Sequence, residues 1–307
     1  MCIRDRNNSN FLSGERVSSR EDQILNNVFN TLLNSGFFEI TTNSLTTNKL
    51  RKFSYWDNEK TVEMVNKLSD EHAILKQKLL FTSLDSIRYN INRKQKNLKF
   101  FEFDKAYSLE GKQYKERSKI GIYITGLKQE EHFVNKPENV SFFDVINITN
   151  KVLNIARISD FETKPKADSK TLDMCIEIIS NGVVLGEIGM VKKEILKTFE
   201  ISQDVYHAEI DWPNLIMNFD KKFKFSEIPK FPQVQRDLSL VMNKDVKYND
   251  VISVIDLDKH KILKKVSLYD IYQGDSIGSN RIAYSMRFIL QDESKTCLLY
   301  TSDAADE

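Results

Sequence analysis

The sequence predicts an α+β chain of two domains: a larger antiparallel sheet core with helices, then a smaller unit of strand, helix, strand and strand. Three observations carry this. The chain has 307 residues, 40% of them hydrophobic, which is more than one ordinary core accommodates. Runs of strand-like alternation and of helical spacing follow one another along it, and Asn181-Gly182 between two apolar runs is a strong hairpin signal. The rhythm then changes after the basic, Phe-rich stretch Lys221-Lys222-Phe223-Lys224-Phe225, which separates a domain over 11–220 from one over 221–296.

In chain order, Ser19 with Asp22 forms a capping box, Ile24, Val28 and Leu32 recur at every fourth residue, and Gly36 occupies a C-cap position, so a helix is expected from Ser19 to Gly36. A strand should follow over Phe37 to Thr42, and a short one over Thr61 to Asn66. Asp70 to Asn92 reads as one or two helices with Leu75, Leu79, Leu80, Leu84, Ile87 and Ile91 inward. Lys99 to Tyr107 and Lys119 to Thr125, rich in aromatic and branched residues, should be strands that pair. Ser141 with Asp144 opens a helix to about Arg157, burying Phe142, Val145, Ile148, Val152 and Leu153. Leu172 to Ile179 and Val183 to Val191 form the arms of the Asn181-Gly182 hairpin.

In the second domain Leu238, Leu240 and Met242 alternate as a half-buried strand should, and Val251, Val254, Ile255 and Ile262 take helical spacing. Val266 to Tyr272 returns to a strand. Ile282, Tyr284, Met286, Phe288 and Leu290 then share one strand face, with Ala283, Ser285 and Arg287 on the other. This order opens a ferredoxin-like βαββαβ unit whose last helix and strand are not reached by Thr296, so the unit is expected to be truncated. Residues 1–10 and 297–307 differ from both domains and look like non-native tails resembling translated adapter sequence.

Charge and cysteine usage exclude several classes. Lys plus Arg number 45 against 44 Asp plus Glu, so no global field draws the chain to nucleic acid, and any RNA contact must be local. Cys2, Cys175 and Cys297 form no Cys-x-x-Cys, arguing against a disulfide framework or zinc site and fitting a reducing cytoplasm. No apolar run approaches the roughly 20 residues of a membrane span. His72, His132, His207 and His260 lack ligand spacing, and Gly182, Gly186 and Gly189 lack the strand-to-helix context of a phosphate loop.

A resemblance sharpens these readings. Pro232-Gln233-Val234-Gln235-Arg236-Asp237-Leu238, Leu268-Tyr269-Asp270-Ile271-Tyr272-Gln273-Gly274, and Arg287-Phe288 with Asp292-Glu293-Ser294-Lys295-Thr296 resemble the ferredoxin-fold anticodon-binding domain of phenylalanine-tRNA ligases. Upstream, Gly36-Phe37-Phe38-Glu39-Ile40, Asn66 to Glu71, Asn90 to Arg93 and Phe101-Glu102-Phe103 resemble the catalytic-like module of the bacterial beta subunit, a class II synthetase core without its chemistry. The resemblance implies an assembly of two alpha and two beta chains, in which the alpha chain uses ATP and Mg²⁺ to activate phenylalanine and then charges tRNA. It implies no cofactor bound by this chain and no catalytic residue in it. Class II cores hold ATP with an arginine on one strand and a second after a Gly-rich strand. The matching places here carry Phe101-Glu102-Phe103 and Gly186-Glu187-Ile188-Gly189 followed by Val191-Lys192-Lys193, without arginine.

Asp270 and Tyr272 stand two apart on one expected strand and so project from one face, where a carboxylate can accept from a guanine edge while a ring stacks on the base. Composition alone reads them as a solvated acid and a packed strand aromatic; the resemblance assigns both to the first anticodon base. It puts a third contact at Arg281, where many relatives have serine. Lys259, Lys261, Lys264 and Lys265 crowd the turn after the first helix of the domain, either as a solvated helix end or as phosphate contacts. Two other readings stay open: a stand-alone RNA-binding module, and an active class II enzyme with displaced residues, which would show a pocket holding two arginines and three acids.

Overall fold

A computed structural model of the chain describes residues 19–67, 69–130, 132–134, 136–219, 227–255, 262–278 and 280–296. The chain divides into two units at Lys222/Phe223. The expected linker 221–225 lies outside the described residues, as do Lys259, His260 and Lys261.

In the first unit, α1 (Arg20–Asn34) starts at the Ser19–Asp22 capping box, and a residue with left-handed backbone, Gly36 at φ +82°, follows its end. β1 (Phe38–Glu39), β2 (Leu45–Thr46) and β3 (Ile74–Leu75) are short, and α2 (Leu79–Ile91) precedes the long hairpin of β4 (Leu98–Glu110) and β5 (Gln113–Thr125). Next come α3 (Phe142–Ile155), opened by the Ser141–Asp144 capping box, β6 (Glu162–Pro165), β7 (Leu172–Ser180), β8 (Val183–Val191), α4 (Lys193–Thr198), β9 (Val205–Asp211) and α5 (Trp212–Met217). Between β7 and β8, Asn181 at φ 50° and Gly182 at φ 75° make the two left-handed residues of a tight hairpin turn.

Seven strands form one sheet in the order β1-β4-β5-β9-β8-β7-β6. Only β1–β4 is parallel. The period-2 alternation of β5 divides the core: Ile120, Ile122 and Ile124 face α1 and α3, burying Ile24, Val28, Leu32, Val145, Ile148, Val152 and Leu153. Tyr123 faces the other side, with Phe100 of β4, Val205 of β9, Leu80, Phe81, Leu84 and Ile87 of α2, and Ile195 and Leu196 of α4.

Several expectations are corrected. Phe37–Thr42 yields only the two residues of β1. Thr61–Asn66 makes a single bridge, Glu63 to Ile74, because beyond Val62 the segment has nothing to bury: Met64 and Val65 are exposed. Leu75 is not helical but pairs with Leu45, and α2 begins four residues later. The reason is non-local. Lys76 is drawn into a buried ionic cluster, and Lys78 is extended at the N-cap without a side-chain cap, while the Leu79 N–H donates to Glu209 Oε2 at 3.2 Å. Five elements, β2, β6, α4, β9 and α5, went unpredicted.

The second unit holds β10 (Val234–Asn243), α6 (Tyr248–Val254), β11 (Leu263–Tyr272) and β12 (Arg281–Leu290), with the strands in the order β10-β12-β11, all antiparallel. Ile282, Tyr284 and Met286 pack with Leu240, Met242, Val251, Ile252, Ile255, Val266 and Leu268 on the α6 side. Val254 does not join them; it is exposed, and Ile262 lies outside the helix, in a turn before β11. Lys264 and Lys265 belong to β11, which starts three residues before the expected Val266.

Candidate nucleic-acid interface

The face of the second unit opposite α6 is set by register. Three rungs cross it: Val241–Ala283–Tyr272, Ser239–Ser285–Asp270, and Asp237–Arg287–Ser267. A β-bulge between Leu268 and Asp270 makes Tyr269 the extra residue, so strand parity changes there. Asp270 and Tyr272 therefore share the face opposite the core, and Arg281, across from Asn243, continues it at one end. Lys265, across from Ile289, continues it at the other. Lys264 is bridged to Glu293 at 2.9 Å.

Asp270 is exposed, and its carboxylate has no hydrogen bond or ion pair among the described residues. Tyr272 is half-exposed; its hydroxyl lies 2.9 Å from Ser276 Oγ, and its ring end lies over Gly274, where an added Cβ would come within 2.3 Å of the hydroxyl. Glycine is required at 274 for this ring position. Register brings in residues that the sequence reading did not select. Ser285 stands directly opposite Asp270 and within 3.3 Å of Ser239. The Arg287 guanidinium lies 4.8 Å from the Tyr269 ring centre and donates to both Asp237 carboxylate oxygens, at 2.9 and 3.0 Å. The alternation of 281–287 was the available signal for Ser285 and Arg287; nothing local announced the bulge.

In the first unit, the sheet face under α2 carries a polar cluster where the catalytic centre of a class II core would be sought. Glu102, at the place matched to a phosphate-binding arginine, is 1% exposed and accepts from the Thr42 N–H at 2.7 Å, Thr42 Oγ1 at 2.6 Å, Ser83 Oγ at 3.1 Å and Lys76 Nζ at 3.4 Å. A cavity beside it gathers Lys78, Arg117, Lys119 and Lys166 with Glu177, Glu187, Glu209 and Asp211. Every cation there has a carboxylate: Lys78 with Glu187 at 2.5 Å, Lys119 with Glu209 at 2.5 Å, Lys166 with Glu177 at 2.9 Å, and Arg117 with Asp211. Burial opposes ionisation of Glu209, but Lys119 and Lys78 outweigh it and hold the carboxyl at about 2.

This cavity has one arginine, not two, and its fork is committed to Asp211 and Asn214. The residues do not fit a nucleotide triphosphate, since no cation is free to meet phosphate. The Gly-rich strand β8 is also not the neighbour of the β4–β5 hairpin; β9, followed directly by α5, lies between them. Among the described residues no group of three His, Cys, Asp or Glu could hold a metal, and no helix is long and apolar enough to cross a membrane.

Comparison with known proteins agrees with both units. Residues 12–212 match the family described as the phenylalanyl tRNA synthetase beta chain CLM domain, and residues 229–298 the ferredoxin-fold anticodon binding domain. The chain belongs to the phenylalanine–tRNA ligase beta-subunit family. It is 31% identical to the phenylalanine–tRNA ligase beta subunit of Bacteroides fragilis over 90% of this chain and 35% of that protein. To the beta subunit of Bacteroides thetaiotaomicron it is 32% identical over 94% of this chain and 37% of the relative. The chain thus spans about a third of the length of these beta subunits.

Solved structures with a similar fold include two synthetase-related proteins. Pyrrolysyl-tRNA synthetase from Desulfitobacterium hafniense superposes with a TM-score of 0.51 at 15% identity, covering 64% of this chain and 68% of that one. An ATP phosphoribosyltransferase regulatory subunit/histidyl-tRNA synthetase from Bacillus halodurans gives 0.52 at 10% identity, covering 65% and 79%. At these identities the likeness concerns the fold of this beta-subunit family member alone.

Proposed function

We propose that this chain is the non-catalytic C-terminal part of a cytoplasmic phenylalanine–tRNA ligase beta subunit, which joins an alpha subunit in a two-alpha, two-beta enzyme and holds phenylalanine tRNA by its anticodon. ATP and Mg²⁺ belong to the alpha subunit's chemistry, and the first unit is scaffold. One observation carries the tRNA role: Asp270, an exposed carboxylate with no partner among the described residues, and Tyr272 share the sheet face opposite α6. Asp270 supplies the acceptor for a guanine edge and Tyr272 the stacking surface, while Arg281, Lys265 and Lys264, together with Lys259 and Lys261, meet phosphates.

With the chain bound to its alpha subunit, Asp270→Ala should reduce the preference for phenylalanine tRNA over one with a changed first anticodon base by about 1–3 kcal/mol. Tyr272→Ala should weaken both tRNAs alike, by roughly 1–3 kcal/mol, because stacking tolerates any base. An unchanged preference in Asp270→Ala, measured by filter binding, removes the anticodon assignment. The same preparation lacking the alpha subunit should show no phenylalanine-dependent exchange of pyrophosphate into ATP. Activity that follows the purified chain would restore the reading as an active enzyme with displaced residues.

A further inference from the structure

The open face of the second unit carries a second cluster that the anticodon reading does not use. Tyr269, expelled from the ladder by the bulge, is half-exposed, yet the Arg287 guanidinium lies 4.8 Å from its ring centre. That guanidinium is not a loose surface group. Two of its nitrogens are fixed by Asp237, whose carboxyl is held below its usual range by those hydrogen bonds. The plane of the fork is thereby set, and Nη1 remains without a partner among the described residues. A cation held over an aromatic ring favours π-faced ligands, which stack on the pair whatever their edge carries.

Position adds to this. Arg287 lies one rung from Ser285, and hence from Asp270, a separation of about 7 Å along the strand. This is wider than the roughly 3.4 Å axial step of a regular strand, so bases held at the two places would be splayed and not stacked on each other. Between the two places the floor consists of Ser239, Ser267 and Ser285, small polar side chains that leave the sheet accessible to flat rings and offer no bulk to bury against a helix. The cations Lys265 and Arg281 stand at opposite ends of the same face, as a backbone crossing it requires.

We propose that Tyr269 and Arg287, positioned by Asp237, form a second nucleobase station beside Asp270 and Tyr272, taking the base next to the one Asp270 reads in single-stranded RNA. The inference rests on the anticodon reading above and deepens it. The second station contributes affinity without base preference, because stacking tolerates any base.

The test measures binding of an RNA stem-loop, carrying the anticodon loop of a phenylalanine tRNA, to the full chain by fluorescence anisotropy. Tyr269→Ala and Arg287→Ala should each weaken binding roughly ten-fold, whatever the neighbouring base, and Tyr269→Phe should bind as the unmodified chain does. Removing the base from the loop nucleotide on one side of the guanine should cost the unmodified chain a similar factor. Tyr269→Ala should then cost nothing further on that RNA, since the two changes remove one contact. This arm needs no variant at Arg287 or Asp237 to fold. If Tyr269→Ala keeps its full cost on both abasic RNAs, or if the Tyr269 and Arg287 variants bind normally while Asp270→Ala and Tyr272→Ala do not, the second station is wrong and the first stands. If none of these variants alters binding, or the unmodified chain binds no RNA, the anticodon reading fails and takes the second station with it.

Discussion

Lys76→Met should destabilise the first unit by about 3–5 kcal/mol, the loss typical when one partner of a buried ion pair is removed. Lys76 is fully buried, with Nζ 2.7 Å from Asp104, 3.4 Å from Glu102 and 2.9 Å from Thr42 Oγ1. Methionine fills nearly the same volume, so packing changes little. What remain are the Asp104 carboxylate, 26% exposed and so open to water, and the Glu102 carboxylate, 1% exposed, with hydroxyl and amide donors but no opposing charge. Adding Glu102→Gln should recover a large part of the loss, because the fully buried charge is then gone and only the part-exposed Asp104 is left without its cation, and the double-mutant cycle isolates the Lys76–Glu102 coupling. Both tryptophans, Trp56 and Trp212, lie in the first unit, so intrinsic fluorescence in urea follows that unit by itself. A loss below about 1 kcal/mol in Lys76→Met would mean that water reaches Glu102 and that the cluster is not the buried pair described.

The features legible from sequence are those whose cause is local. The Ser19–Asp22 and Ser141–Asp144 boxes, the Asn181-Gly182 turn and the alternation over 282–290 each contain within a few residues the interactions that fix them. β9 was invisible for the opposite reason. Although central in its sheet, it reads Val-Tyr-His-Ala-Glu-Ile-Asp, and its buried Glu209 is satisfied by Lys119, 90 residues away, and by the N–H of Leu79, 130 residues away. The start of α2 is set by that same carboxylate, so one missed partner produced two missed boundaries. At the interface, the spacing of Asp270 and Tyr272 was sufficient to put them on one face, because both lie beyond the bulge. Tyr269 needed the cross-strand register, since a single extra residue reverses the parity on which a sequence argument depends, whereas the alternation of 281–287 already gave the face of Arg287 but not its partners.

Acid should unfold the first unit through two windows, one belonging to His207 and one to Glu209. His207 is 1% exposed and stacked on Tyr123 with ring centres 4.7 Å apart. Its Nδ1–H donates to the Ile122 carbonyl oxygen at 3.1 Å, leaving Nε2 buried without a partner. Burial pushes its pKa down from 6.5 to about 4, with Glu209 opposing. Between those values the unfolded chain binds a proton that the folded one refuses, so stability falls as pH drops from about 6.5 to about 4. Glu209 takes over below this. Its pKa of about 2, against 4.5 ordinarily, means that the stabilisation from Lys119 and Lys78 is complete above about pH 4.5 and is lost as pH falls through 2. Each group contributes on the order of 3 kcal/mol across its window. Urea midpoints followed by tryptophan fluorescence from about pH 8 to about pH 2 should show both slopes. His207→Gln, which cannot titrate, should flatten the upper window and leave the lower one. Glu209→Gln should flatten the lower window and cost stability at neutral pH as well, since it leaves Lys119 facing an amide. A His207→Gln chain that keeps the full slope between pH 6.5 and 4 would show that the buried imidazole is not what the upper window reports.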